Sequence, residues 1–342
     1  MVKIEDYPHR LGGHCGSGAL RDLMEWAGLG WDGPPDEGLV FGLGGDLAFT
    51  YVRTGANPFF VGRGPDLELR FCDRLGIATR RDQTDDPAEG WRWVTGQLDA
   101  GRPVMVWADI ADLPYLRVRL SNARHDIVVI GYDDEAAWVV DNDRADVQRV
   151  PLAALAKARD SHGFGGPNRH ATYPMGFPAA LPDLLPAARD AAAAGVAGLR
   201  GDQTTGALPP PPGETLLGTG LSGVEVFAAD VAAWPDALDP GELAAARAAL
   251  PVFIEKAGTG GGMFRRLQAD FCRDVARLTG DRPFAAAADA YAACAAAWSA
   301  LAALARDPGT DHAALTRTAF ALPALERAAV ESLAAAAGSE QG

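Results

Sequence analysis

Apolar positions along the chain change their period several times, and each change marks an element. Gly16 to Ala27 places Leu20, Leu23 and Met24 on one face of a helix. Asp85 to Ala100 spaces Trp91, Val94 and Leu98 for a buried helical stripe, which Gly101-Arg102-Pro103 stops. Short apolar runs follow. Pro103 to Ala108, His125 to Tyr132 and Ala137 to Val140 each read as a buried strand. The acidic turn Asp133-Asp134 between the last two predicts an antiparallel hairpin. A helix followed by antiparallel strands predicts an α+β fold.

Beyond Leu152 the chain turns alanine-rich and its period becomes helical. Helices are predicted over Leu184–Ala194, Leu221–Ala233, Gly241–Lys256, Met263–Thr279, Phe284–Ala305 and His312–Ala337, with glycine or proline in each gap. Four successive prolines, Pro209–Pro212, favour polyproline II and predict an exposed connection between Gly201 and Gly220. The predicted domains are therefore 1–155, helix plus sheet, and 156–342, mainly helical with a Pro/Gly-rich loop near 201–220. No internal repeat is present.

Composition narrows the class. The chain has 342 residues, of which 48% are hydrophobic and 22% charged, a globular profile rather than a disordered one. The apolar run Phe284–Ala305 is alanine-rich and interrupted by Asp289 and Ser299, too weakly apolar for a predicted membrane span. Met1 to Arg10 has no apolar core and no cleavage site, which predicts a cytoplasmic protein. The net charge of −14 and the lack of a Lys/Arg stripe argue against nucleic acid and are compatible with a cationic partner. The oligomeric state is not readable.

Of the cysteines, Cys72, Cys272 and Cys294 lie in apolar or helical stretches and read as small core residues. Cys15 differs. It follows Gly12-Gly13-His14 and opens the first predicted helix, whose positive end and unpaired N–H groups favour a thiolate. His125 opens one strand of the predicted hairpin and Asp141 closes the other, so both fall near one end of it. That arrangement suits Asp141 to orient the imidazole and His125 to serve the thiol. The order Cys15, His125, Asp141 in these elements is the papain-like order. Such an enzyme needs donors for the developing oxyanion. The Cys15 backbone N–H is one candidate. The position six residues before the cysteine, glutamine in papain-like enzymes, is His9 here; His9 and the adjacent His14 are the alternatives. No carboxylate accompanies His162, His170 or His312 at ligand spacing, so no metal site is expected.

Two glycine-rich segments are candidates for substrate binding. Val40 to Phe49 lacks the Lys-Ser/Thr ending of a phosphate loop and is read as backbone approaching a ligand, through Gly44, Gly45 and Phe49. Gly258 to Arg266 precedes a helix; Gly260, Gly261, Phe264 and Arg265 are candidates to hold an anion there.

The segments GGHCGSGAL, VFGLGGDLAFTYV, HDIVVIGYDD with AWVVDND, and EKAGTGGGMFRRLQADFCRDVARLTGD resemble the butirosin biosynthesis protein H type of family. The resemblance covers most of the chain and is least secured around Pro209–Pro212. It implies a papain-like N-terminal domain and a helical C-terminal domain of uncharacterised role. It also implies an acyltransferase of antibiotic biosynthesis. By that resemblance Cys15 would take an acyl or aminoacyl group from a phosphopantetheine thioester, on an acyl carrier protein or coenzyme A, and pass it to a small-molecule amine. No bound cofactor is implied. Arg117, Arg119, Arg124, Arg144 and Arg149 cluster near the hairpin and are candidates for docking an acidic carrier. Two other readings stay open: a cysteine peptidase or amidase with the same triad, and a binding protein on the same fold.

Overall fold

A computed structural model describes residues 1–55, 57–201, 215–307 and 309–338; Pro209–Pro212 lies outside them. In chain order the elements begin with β1 (Val2–Lys3), α1 (Cys15–Trp26), α2 (Glu37–Gly44), β2 (Leu47–Thr54), β3 (Asn57–Arg63), α3 (Leu67–Arg74) and β4 (Ala78–Thr79). They continue with α4 (Pro87–Asp99), β5 (Val104–Ala108), β6 (His125–Tyr132), β7 (Ala136–Val140), β8 (Gln148–Pro151), α5 (Leu152–Ala158), β9 (Thr172–Tyr173) and β10 (Met175–Gly176). The remainder is α6 (Leu184–Arg200), β11 (Thr215–Thr219), α7 (Gly220–Ala237), α8 (Pro240–Glu255), α9 (Arg265–Thr279), α10 (Arg282–Arg306) and α11 (His312–Ala337).

The chain forms two compact units. The first holds Met1–Glu37 and Leu75–Leu181. Its main sheet runs β8-β7-β6-β5-β9, with β1 also paired to β6, and every pairing is antiparallel. The alternation of each strand splits its residues between two faces. Val104, Val106, Ile127, Val129, Val139 and Val150 form one core with Val94 and Leu98 of α4 and Leu155 of α5. Helix α1 packs on β6, and its Leu20, Leu23 and Met24 are buried.

The second unit holds Gly38–Arg74 and Pro182–Gly342. A three-stranded antiparallel sheet, β11-β2-β3, lies among helices. Phe49, Phe60, Phe227 and Trp298 pack face and edge at centroid distances of 5.0 to 6.4 Å. Helix α10 is long and apolar enough by composition to cross a membrane, but Phe284, Tyr291, Trp298 and Leu301 along it are buried within this unit.

This division differs from the one predicted. Residues 38–74 belong with the helical part, because β2 pairs with β11 and packs on α6 and α7. The first unit in turn runs on to Leu181, because β9 extends its sheet beside β5. The segment Val40–Phe49 is not an open loop. It is the buried helix α2, a left-handed turn at Gly45 (φ 60°) and the start of β2.

Candidate active site

The glycines before Cys15 serve close packing. Asn142, just past β7, bonds through its Nδ2 to the Gly12 carbonyl at 3.1 Å, and Gly12 N–H donates to the Asn142 carbonyl at 2.9 Å. A Cβ on Gly18 would meet Asn142 Cβ at 3.0 Å. Small residues at these positions let the chain beyond Asp141 lie directly against the start of α1. His14 caps the helix, its Nδ1 accepting from Ser17 N–H at 3.2 Å.

Cys15, His125 and Asp141 come together at the ends of α1, β6 and β7. His125 Nε2 donates to Asp141 Oδ2 at 2.8 Å, and the Cys15 thiol is a hydrogen-bond neighbour of the same imidazole. With Nε2 engaged, Nδ1 is the ring nitrogen left for sulfur. His125 and Asp141 are both buried. Burial pushes the His125 pKa down, but the Asp141 charge and its hydrogen bond, with Cys15, push it up by more, so it lies well above the ordinary value. Burial likewise pushes the Asp141 carboxyl up, and His125 with the Asp143 N–H and Tyr115 donors more than reverses it. Tyr115 O–H donates to Asp141 Oδ2 at 2.8 Å, and Asp143 N–H to Oδ1 at 3.0 Å.

Besides Tyr115, further neighbours of this cluster were not anticipated. Asp126, buried beside His125 on β6, accepts from Cys15 Sγ at 3.6 Å. Glu37 accepts from the backbone N–H groups of Gly13 (2.8 Å) and His14 (2.7 Å) and from Ser17 Oγ (3.1 Å). Its carboxylate therefore answers the positive end of α1 that was expected to favour the thiolate. Trp107 is the cross-strand partner of Asp126, and the guanidiniums of Arg81 and Arg124 lie 4.8 and 5.1 Å from its ring centroid. Asp126 carried one available signal, its place directly after His125; Glu37 carried none among so many acids.

The other candidates lie differently. His9 faces two acceptors, Asp22 Oδ2 at 2.7 Å and the Arg144 carbonyl at 2.7 Å, so neither ring nitrogen remains to donate to an oxyanion. His14 spends Nδ1 on the helix cap. Phe49 belongs to the aromatic core of the second unit. Gly44 and Gly45 allow close packing there: a Cβ on Gly44 would meet Leu67 Cγ at 2.7 Å, and one on Gly45 the Ala191 carbonyl oxygen at 3.0 Å.

The segment Gly260 to Phe264 explains its glycines by backbone, since all five residues have positive φ. It is no anion cradle. Gly261 N–H donates to Thr259 Oγ1, Met263 N–H to the Ile254 carbonyl and Phe264 N–H to the Thr259 carbonyl. Phe264 stacks on Phe41 at 5.6 Å. Arg265 is fully buried, with Nε on Glu326 Oε1 at 2.7 Å and Nη1 on the carbonyls of Met263, Gly62 and Ala48. Its charge is met by Glu326, which also accepts from Trp298 Nε1 at 2.7 Å. Sequence position suggested a helix-start arginine open to anions; the fold turns it into the core.

The first unit is thus an antiparallel sheet with a cysteine-headed helix on it and a His–Asp pair at the sheet's end. Residues 14–142 match the family described as butirosin biosynthesis protein H, N-terminal, a span that brackets Cys15 through Asp141. Residues 153–333 match a domain of unknown function, DUF4872. The chain belongs to the family that joins these two domains. Among solved structures it is similar to a protein from Bacillus anthracis described as a C39-like peptidase, with a TM-score of 0.37 and 15% identity, over 52% of this chain and 98% of that one. No curated protein gives a significant match.

Proposed function

We propose that this protein is a cysteine-dependent acyltransferase. Cys15 Sγ attacks the carbonyl of a phosphopantetheine thioester, the carrier thiol leaves, and an acyl-enzyme thioester remains. A small-molecule amine then attacks that thioester, an N-acyl product forms, and Cys15 is released with its proton. His125 moves the protons, and Asp141 holds its ring through Nε2. The observation that carries this reading is the 2.8 Å His125–Asp141 contact on an imidazole that also meets the Cys15 thiol. The match of residues 14–142 to the butirosin biosynthesis protein H family supports a cysteine-dependent enzyme, and the amine acceptor is taken from what that resemblance implies.

A carrier-protein donor is part of the proposal. Of the arginines near the hairpin, Arg144 pairs with Asp143, Arg149 with Asp133 and Glu135, and Arg124 lies over Trp107. Arg117 and Arg119 are exposed on the chain between Tyr115 and His125, beside the exposed Val118 (41%) and Leu120 (65%). A basic and apolar exposed stretch just before His125 in the chain suits an acidic carrier on a chain that is acidic overall.

The test is intact-protein mass spectrometry after incubation with a panel of acyl-phosphopantetheine thioesters. The expected result is an acyl adduct on the native chain, none on Cys15→Ala, and release of the adduct that depends on added amine. An equal adduct on Cys15→Ala removes the mechanism. Release at the same rate without amine makes the protein a hydrolase.

A further inference from the structure

Asp109 stands directly after β5, and its buried carboxylate gathers donors from three places in the chain. Oδ1 accepts from Ala111 N–H at 3.0 Å and from Asn122 N–H at 3.1 Å. Oδ2 accepts from Ser121 Oγ at 2.6 Å and from Ser161 Oγ at 2.5 Å. Ile110 N–H also donates to the Asn122 carbonyl at 3.3 Å. The chain from Ile110 to Asn122 is therefore a loop whose ends meet at one side chain, the Ω form. Tyr115, whose phenol donates to Asp141 Oδ2, lies on this loop. We infer that Asp109 is a positioning residue for the His125–Asp141 pair and acts on it through Tyr115.

The neck of the loop adjoins the pair. Ala108, just before Asp109, is the strand partner of His125, and residues 121–124 lead from the neck straight into His125. Within the loop, Leu113 and Leu116 are buried in the first unit's core, and Arg144 Nη2 donates to the Tyr115 carbonyl at 3.1 Å. Apolar contacts hold the loop down but are non-directional. The hydrogen bonds at the neck are directional and fix where the loop leaves and returns. A loop tied at both ends samples far fewer positions than an open one. The neck is also closely packed: a Cβ on Gly163 would meet Ser121 Oγ at 1.7 Å and Asp109 Oδ2 at 2.8 Å. Burial pushes the Asp109 carboxyl up, and its hydroxyl and N–H donors more than reverse this, so it stays ionised at neutral pH.

The effect reaches the pair through one oxygen. Tyr115 O–H and His125 Nε2–H both donate to Asp141 Oδ2, so each draws on the same charge. A phenol held there keeps Asp141 ionised and tempers its bond to His125. With the neck open, the phenol leaves and His125 has Oδ2 to itself. Asp109 does this from the far end of the loop, without touching the reacting atoms.

The inference rests on the reading of His125 and Asp141 as the catalytic pair, and its test reads that pair in the resting chain, with no acyl transfer required. The full chain is labelled with ring-15N histidine, and the proton on His125 Nε2 is followed by NMR. Its signal is identified among the six histidines by its loss in His125→Ala. Tyr115→Phe is expected to move the signal downfield, because the bond to Asp141 strengthens. Asp109→Ala should move it the same way, and Asp109→Ala with Tyr115→Phe should stand where Tyr115→Phe alone stands. A folded Asp109→Ala whose signal stays in place or moves upfield overturns the inference, as does a double variant that moves by the sum of the two. Should Asp109→Ala unfold, Ser121→Ala, which removes one hydroxyl from the neck, decides instead. A downfield movement beside Tyr115 that disappears in Tyr115→Phe supports the inference; no movement, or equal movement in both backgrounds, overturns it. An acyl adduct that fails to form on Cys15 would sink the transferase reading and leave this outcome standing.

Discussion

His125 Nε2 and Asp141 Oδ2 lie 2.8 Å apart in a buried place, joining the start of β6 to the end of β7. The contact fixes which ring nitrogen faces sulfur. In Asp141→Asn an amide replaces the acceptor, the tautomer and the imidazolium lose their support, and acyl-adduct formation should fall about 10²- to 10⁴-fold. Rates of adduct formation in stopped or quenched time courses check this. A fall of less than about threefold would remove Asp141 from the proposed chemistry.

The same pair predicts how stability depends on pH. The His125 pKa is raised in the folded chain, so its contribution is full below the unfolded value of about 6.5 and is lost as pH rises through the folded value. The Asp141 pKa is lowered, so its contribution is present above the unfolded value of about 3.9 and is lost as pH falls through the folded value. Both contributions are thus full between the two unfolded values. Denaturant unfolding against pH should show the native chain losing stability on the alkaline side, and a His125→Ala chain should lack that loss.

Tyr115 shares Asp141 Oδ2 with His125. In Tyr115→Phe the ring stays and only the phenol donor goes. A lost hydrogen bond to a charged acceptor costs about 1.5–3 kcal/mol, here divided between stability and the Asp141 charge. The expected signature is a lower denaturation midpoint and an alkaline stability loss that begins at a changed pH. Identical pH curves for the two chains would show that the phenol does not act on the pair.

How far the sequence could be read depended on the range of the interaction. Local period was enough for α1, α4 and the strands β5, β6 and β7, because each buries one face set by its own alternation. It was not enough for β2, whose partner β11 begins at Thr215 and pairs with Arg53, far along the chain. Nothing within a window of VFGLGGDLAF says which segment will cover it. The meeting of Cys15, His125 and Asp141 was legible because each stands at the end of a legible element. Glu37, Tyr115 and Asp126 were not, since their partners are chosen by tertiary placement. His9 and Arg265 show the converse. Residue type named a possible donor, but only the fold reveals the acceptors that already hold it.

Arg265 and Glu326 form a fully buried pair in the second unit, at 2.7 Å. Replacing one member leaves the other charge buried and unmatched, which costs about 3–5 kcal/mol. Glu326→Gln should therefore lower the chemical denaturation midpoint sharply. Arg265→Met with Glu326→Leu, which removes both charges, should recover a large part of that loss. If the double replacement is no better than Glu326→Gln, the arginine contributes chiefly through its bonds to the Met263, Gly62 and Ala48 carbonyls.

Arg117 and Arg119 make the carrier-docking part of the proposed function testable apart from the chemistry. Both are exposed, and the hydrogen bonds His125–Asp141, Tyr115–Asp141 and Asp143–Asp141 do not involve them, so reversing them to glutamate leaves those bonds in place. With a carrier-protein donor, reversal should slow acyl-adduct formation at low salt by about tenfold or more, and the difference should shrink as salt screens the encounter. With a free acyl-pantetheine thioester the same variant should match the native chain, because a small neutral donor gains nothing from the two charges. Equal slowing with both donors would mean that the substitutions disturb the cluster itself. No slowing with either would place docking on another surface of the protein.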